Sequence, residues 1–96
     1  MTEVYHKDNE RRRLKRDLLS MPVIYAYFSE RQIKTSIGTS FDLNVSGMSF
    51  YADTLLQEGL NLQVLVSKLW DYPRSSTVRW CSKTDSSHYR VGISFR

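Results

Sequence analysis

Residues 41–50 read FDLNVSGMSF, and the alternation within that stretch decides the fold. Phe41, Leu43 and Val45 recur at every second position, and after Gly47 the period resumes with Met48, Phe50 and Ala52. A repeat of two is the signature of a strand with one face in a core and the other in water. Glycine marks a point where the backbone bends sharply or a ligand approaches closely. The stretch therefore reads as strand, corner, strand. Phe41, Leu43 and Val45 are expected inside, with Asp42 and Asn44 projecting together from the outer face.

Working outward, the same period returns. In LNLQVLV, Leu60, Leu62, Val64 and Val66 share one face; in TVRWC, Val78 pairs with Trp80 against Thr77, Arg79 and Cys81. In YRVGISF, Tyr89, Val91, Ile93 and Phe95 oppose Arg90, Gly92 and Ser94. The run PVIYAYF is more continuously apolar, and its β-forming residues predict a strand covered on much of both faces. Turn residues in SERQ, QEG, DYPRS and KTDSSH separate these runs. Helix is expected only around Arg11–Leu19 and as a turn at Asp53–Gln57. About six short strands without crossover helices imply an all-β domain, a small antiparallel barrel or sandwich.

The chain has 96 residues, enough for one modest core. A hydrophobic fraction of 41% and a charged fraction of 25% suit an ordinary globular domain. No apolar run approaches the roughly 20 residues of a membrane span, and MTEVYHKDNE lacks the apolar core of a secretory signal. With Cys81 alone there is no internal disulfide, so a cytoplasmic location is expected. The net charge of +4 is concentrated at the amino terminus. Residues 1–16 carry six Lys/Arg against three Asp/Glu, while the remainder carries eight against seven. A body so close to neutral argues against a dedicated nucleic-acid surface.

The basic segment holds four arginines and a lysine between Glu10 and Arg16. At the 41–50 corner a carboxylate that only accepts sits beside a carboxamide that both donates and accepts. Such a pair suits the edge of guanine, where N–H donors adjoin a carbonyl. Separately, the arginines read as a solvated tail and the corner as an ordinary turn. Together they form an ordered set: Arg12 and Arg16 fit R-x-x-x-R, and Asp42, Asn44 and Gly47 fit an altered [D/N]-x-S-x-x-G. With MPVIYAYF, TVRWC and YRVGISF, this set resembles the PilZ domain, a bacterial receptor for cyclic di-GMP.

The resemblance spans nearly the whole chain. It implies a six-stranded antiparallel β-barrel over residues 21–96, with little helix, and a flexible basic arm over residues 1–20. Its implied ligand is cyclic di-GMP, bound by Arg12, Arg16, Asp42, Asn44 and Gly47, with Arg11, Arg13 and Trp80 as further contacts. It also implies a protein partner and an output in motility, adhesion or exopolysaccharide formation. Guanidinium groups pair with phosphate or with guanine O6/N7 and stack on bases, so the ligand suits the residues. An arginine just before R-x-x-x-R implies two intercalated ligand molecules per domain. Asn44 replaces the family's serine, and altered geometry is expected there.

His6 and His88 lack partners at metal-ligand spacing, and no paired acids, nucleophile elbow or glycine-rich phosphate loop is present. Neither a metal, a cofactor nor catalysis is expected. Two other readings stay open: a PilZ-like interaction module that binds no nucleotide, and a small barrel that binds single-stranded nucleic acid.

Overall fold

The computed structural model describes residues 20–96. They form six strands: β1 (Pro22–Ser29), β2 (Gln32–Leu43), β3 (Gly47–Ala52), β4 (Asn61–Leu65), β5 (Arg74–Lys83) and β6 (Tyr89–Phe95). Every pairing is antiparallel, in the order β1-β2-β3-β6-β5-β4, and β1 pairs with β4 to close a barrel. Closure runs through Ile24–Ala26 of β1 and Gln63–Leu65 of β4, so every strand has a hydrogen-bonded neighbour on both sides over part of its length. The described residues contain no helix, and Asp53–Gln57 is irregular rather than a helical turn. There Asp53 is held by side-chain hydrogen bonds and Leu56 is buried in the core, which fixes the segment as a plug rather than a turn of helix. The expected helix at Arg11–Leu19 lies outside the described residues, as does nearly all of the 1–20 arm.

The core follows the period-two reading over much of the sheet. Val23 and Tyr25 from β1, Met48 and Phe50 from β3, Leu62 and Val64 from β4, and Val91 and Ile93 from β6 all point inward. Tyr25 and Phe50 pack at 5.1 Å between ring centroids in the middle of the barrel. Truncating either to alanine would cost about 3–5 kcal/mol in transfer and cavity energy. The Tyr25 hydroxyl escapes burial without a partner by donating to Asp53 Oδ1 at 2.8 Å, and Ser36 Oγ donates to Oδ2 at 3.1 Å. β1 is not covered on both faces: Ile24 and Phe28 are exposed among the described residues.

Two β-bulges break the alternation, and both matter for the site. Between Ser40 and Asp42 the register against β3 slips by one, from Ser40↔Phe50 to Asp42↔Ser49. The extra residue is Phe41, which turns outward and packs against Tyr51 at 4.6 Å. Between Val78 and Trp80 the register against β6 slips in the same way, with Arg79 as the extra residue. Val78 stays inside, Trp80 becomes 44% exposed, and Cys81 instead packs against the core. Sequence parity had placed Phe41 and Trp80 inside and Cys81 outside. A bulge places two consecutive residues opposite one partner residue, so the parity of everything beyond it inverts. Val45, also expected inside, is 95% exposed because the strand has already ended at Leu43.

The β1–β2 hairpin turns through Glu30 and Arg31, with φ of 53° and 67°. Positive φ at both central residues is the type I′ arrangement, which matches the twist of the strands but favours Asn-Gly. Side chains with a Cβ pay roughly 1–2 kcal/mol each for that conformation.

Candidate functional site

The corner between β2 and β3 is built around Asn44. Its Oδ1 accepts from Ser46 N at 2.9 Å, Ser46 Oγ at 2.8 Å and Gly47 N at 3.0 Å. Two of those donors are backbone N–H groups, so the amide must present its oxygen to the turn and its Nδ2 away from it. The side chain thus takes the place of a backbone acceptor in an Asx-type turn. A corner residue read from sequence as both donor and acceptor has only its donor left for a ligand. Gly47 serves the same closure: a Cβ there would lie 2.1 Å from the Ile93 carbonyl oxygen. Its lack of a side chain lets β3 approach β6.

Beyond the corner, the outer face carries a straight row of four residues on four adjacent strands. Asp42 on β2 pairs in register with Ser49 on β3, Ser49 with Gly92 on β6, and Gly92 with Trp80 on β5. At a strand spacing of about 4.8 Å the row spans roughly 14 Å. Its two middle members are small, so they form a floor between a carboxylate at one end and an indole at the other. The Trp80 ring leans over that floor; a Cβ on Gly92 would fall 2.1 Å from Nε1. The resulting depression, of about 430 Å³, is lined by Asp42, Asn44, Gly47, Ser49, Arg79 and Trp80 among others.

Both bulges therefore supply this site. One supplies the extra residue beside Asp42, and the other delivers Arg79 and Trp80 to the outer face together. Arg79 was not among the expected contacts, nor were Ser49 and Gly92. Among the described residues the sole salt bridge joins Lys34 to Glu30, so Arg79 and Asp42 each bring an unpaired charge to the depression. The only sequence trace of the bulge is that TVRWC puts a large amphipathic ring directly beside a charge.

Of the expected contacts, Asp42, Asn44, Gly47 and Trp80 are brought together. Arg11, Arg12, Arg13 and Arg16 lie outside the described residues. The point where their segment joins the barrel is described: Met21 N donates to Ser40 Oγ at 3.0 Å, and Ser40 N donates to the Met21 carbonyl at 2.9 Å. Ser40 stands two positions before Asp42 on the same strand.

A larger cleft, of about 680 Å³, opens around Ile37, Tyr51, Asp53, Asp85, His88 and Arg90 and contains none of the motif residues. No group of three or more His, Cys, Asp or Glu side chains among the described residues could hold a metal ion. No helix among them is long and apolar enough to cross a membrane. Comparison with protein-family models, curated proteins and solved structures finds no match to this chain.

Proposed function

We propose that this chain is a cyclic di-GMP receptor of the PilZ kind, acting in the cytoplasm on a protein partner rather than as an enzyme. The observation that carries the reading is the row Asp42–Ser49–Gly92–Trp80, anchored beside the clamp from which the arginine segment departs. A guanine laid over Ser49, between the carboxylate and the indole that covers Gly92, meets an acceptor for its N1–H and N2–H₂ at the Asp42 end. At the other end the indole offers a stacking surface, worth about 1–3 kcal/mol per base in comparable settings. Asn44 Nδ2 donates toward O6, N7 or a phosphate oxygen. Arg12 and Arg16 close over the ligand from the tethered arm, pairing with its phosphates.

Arg11 adds a guanidinium at the point where two stacked ligands would bring four negative charges together. Offsetting that repulsion supports two intercalated molecules per domain. An arm that orders on the ligand changes the barrel's outer surface, which is the signal a partner would read.

Calorimetric titration of the full chain with cyclic di-GMP tests the reading, with GTP and a single-stranded oligonucleotide as controls. Selective binding of the cyclic dinucleotide is expected. Arg12→Ala and Arg16→Ala should each weaken it by roughly 1.5–3 kcal/mol, as for a lost charge-assisted hydrogen bond. Binding of the oligonucleotide alone, or of neither ligand, would reject it.

A further inference from the structure

Beside the depression, the outer face carries a second row across the same strands. Thr39 on β2 pairs in register with Tyr51 on β3, Tyr51 with Arg90 on β6, and Arg90 with Ser82 on β5. On β3, β5 and β6 each member stands two residues from its counterpart in the Asp42–Ser49–Gly92–Trp80 row, and so on the same face. The two rows lie roughly 7 Å apart. Arg90 therefore borders the floor, although it lines the larger cleft rather than the depression.

Arg79 borders the floor from the opposite side. As the extra residue of the β5 bulge it falls between Val78, opposite Ile93, and Trp80, opposite Gly92. Arg90 lies two residues from Gly92 in the other direction along β6. The two arginines thus straddle the Trp80–Gly92 level, with their backbones about 10 Å apart. Both are exposed, and no hydrogen bond or ion pair engages either guanidinium among the described residues. Asp53 shares the cleft of Arg90, but its two carboxylate oxygens accept from Tyr25 and Ser36. Asp85, on the turn between β5 and β6, lines it too and forms no ion pair. An unpaired arginine on either side of a stacking ring suits a ligand with anionic groups on both sides of a base.

We propose that, given the cyclic di-GMP reading on which this rests, Arg79 and Arg90 form a two-phosphate clamp supplied by the barrel itself. Each nucleoside of a cyclic dinucleotide is joined to both phosphates, through its 3′ and its 5′ oxygen. A guanine held between Asp42 and Trp80 therefore has one phosphate on either side, where the two guanidinium groups stand. GTP carries all its phosphates on the 5′ side of its ribose and meets only one of the arginines. The clamp accordingly selects the cyclic dinucleotide over GTP, which Asp42, reading only the base, does not do.

Calorimetry of the full chain with cyclic di-GMP tests the clamp. Arg79→Ala and Arg90→Ala should each weaken binding on the order of tenfold to a hundredfold, as for a lost charge-assisted contact. Their melting temperatures should match the wild type's, because both side chains are exposed and unpartnered. Arg90→Lys should recover part of the loss, since an ammonium still meets phosphate as a point charge. Arg31→Gly removes the same charge at the β1–β2 turn, far beyond a Debye length of about 8 Å from the floor, and should leave affinity within about twofold. Added salt should weaken the wild type more steeply than either alanine variant, each of which has lost one charge contact. Wild-type binding that neither alanine variant changes overturns the clamp and leaves the ligand reading standing. So does an equal loss in Arg31→Gly, which assigns the effect to net charge. A loss whose salt dependence matches the wild type's assigns the contact to the base and overturns the clamp as well. A wild type that binds no cyclic dinucleotide overturns both the clamp and the reading beneath it.

Discussion

The indole of Trp80 occupies the space that a side chain on Gly92 would need: a Cβ there would come within 2.1 Å of Nε1 and 2.2 Å of Cε2. Trp80 is already 44% exposed, so it has room to swing into solvent if Gly92 is enlarged. Gly92→Ala should therefore leave the barrel folded, at a cost of about 1–3 kcal/mol for the displaced contacts. The stacking end of the floor would be lost, and affinity for cyclic di-GMP should fall about as far as in Trp80→Ala. Tryptophan fluorescence checks the displacement independently of any ligand, since a ring released into water emits further to the red. Unchanged emission would mean that the ring does not depend on Gly92.

Asn44 separates the corner's stability from its recognition. Its oxygen holds three donors, and its nitrogen faces away from them. Asn44→Ala removes both and should destabilise the barrel by about 1–2 kcal/mol, as for the loss of a comparable cap. Asn44→Asp keeps an acceptor for the turn but replaces the outward donor with a negative charge. It should retain most of the stability while repelling a doubly anionic ligand. Urea denaturation and calorimetry on the two variants should therefore rank them in opposite order.

Much of this architecture is legible from the chain. Period-two runs located β4 and β6, and FDLNVSGMSF marked the β2–β3 corner with Asp42 and Asn44 on the outside. What parity could not reveal were the bulges at Phe41 and Arg79. A bulge is a one-residue slip between two strands, and its cause lies in how both fit the barrel's curvature rather than in either run alone. That slip is why Trp80 reads as core yet stands outside, and why Arg79 was missed as a member of the site. Gly92 was missed for a related reason, since its role depends on a ring from the neighbouring strand. Asn44's oxygen was likewise uncommitted until the turn showed which backbone groups needed an acceptor.

Asp42 is exposed, forms no ion pair among the described residues and sits at the end of the floor. Asp42→Ala should therefore alter stability by no more than about 0.5 kcal/mol. Its effect should fall on base choice. Guanine presents N1–H and N2–H₂ to an acceptor, whereas adenine lacks that pair of donors. The wild type should prefer cyclic di-GMP over cyclic di-AMP, and the variant should lose most of that preference. Equal losses for both dinucleotides would assign Asp42 a general role in attraction or folding instead.

The Tyr25–Asp53 hydrogen bond gives the barrel a pH dependence that needs no ligand. The Tyr25 hydroxyl, with Ser36, holds the Asp53 carboxyl below its ordinary value, and burial pushes the Tyr25 phenol up to about 12. A depressed carboxyl stabilises the fold above its unfolded value, near pH 4, and that contribution disappears as pH falls through the folded value. A raised phenol contributes fully below pH 10 and is lost as pH rises from there toward about 12. Stability should thus decline at both extremes through one pair of side chains. Tyr25→Phe should remove the alkaline decline, and by taking away the donor it should let the Asp53 carboxyl rise and soften the acid limb as well. Asp53→Asn should abolish its own share of the acid limb while leaving an alkaline decline, because burial is the larger cause of the phenol's shift. Urea denaturation across the pH range measures all three chains, and an acid limb unchanged in Asp53→Asn would show that other carboxylates govern it.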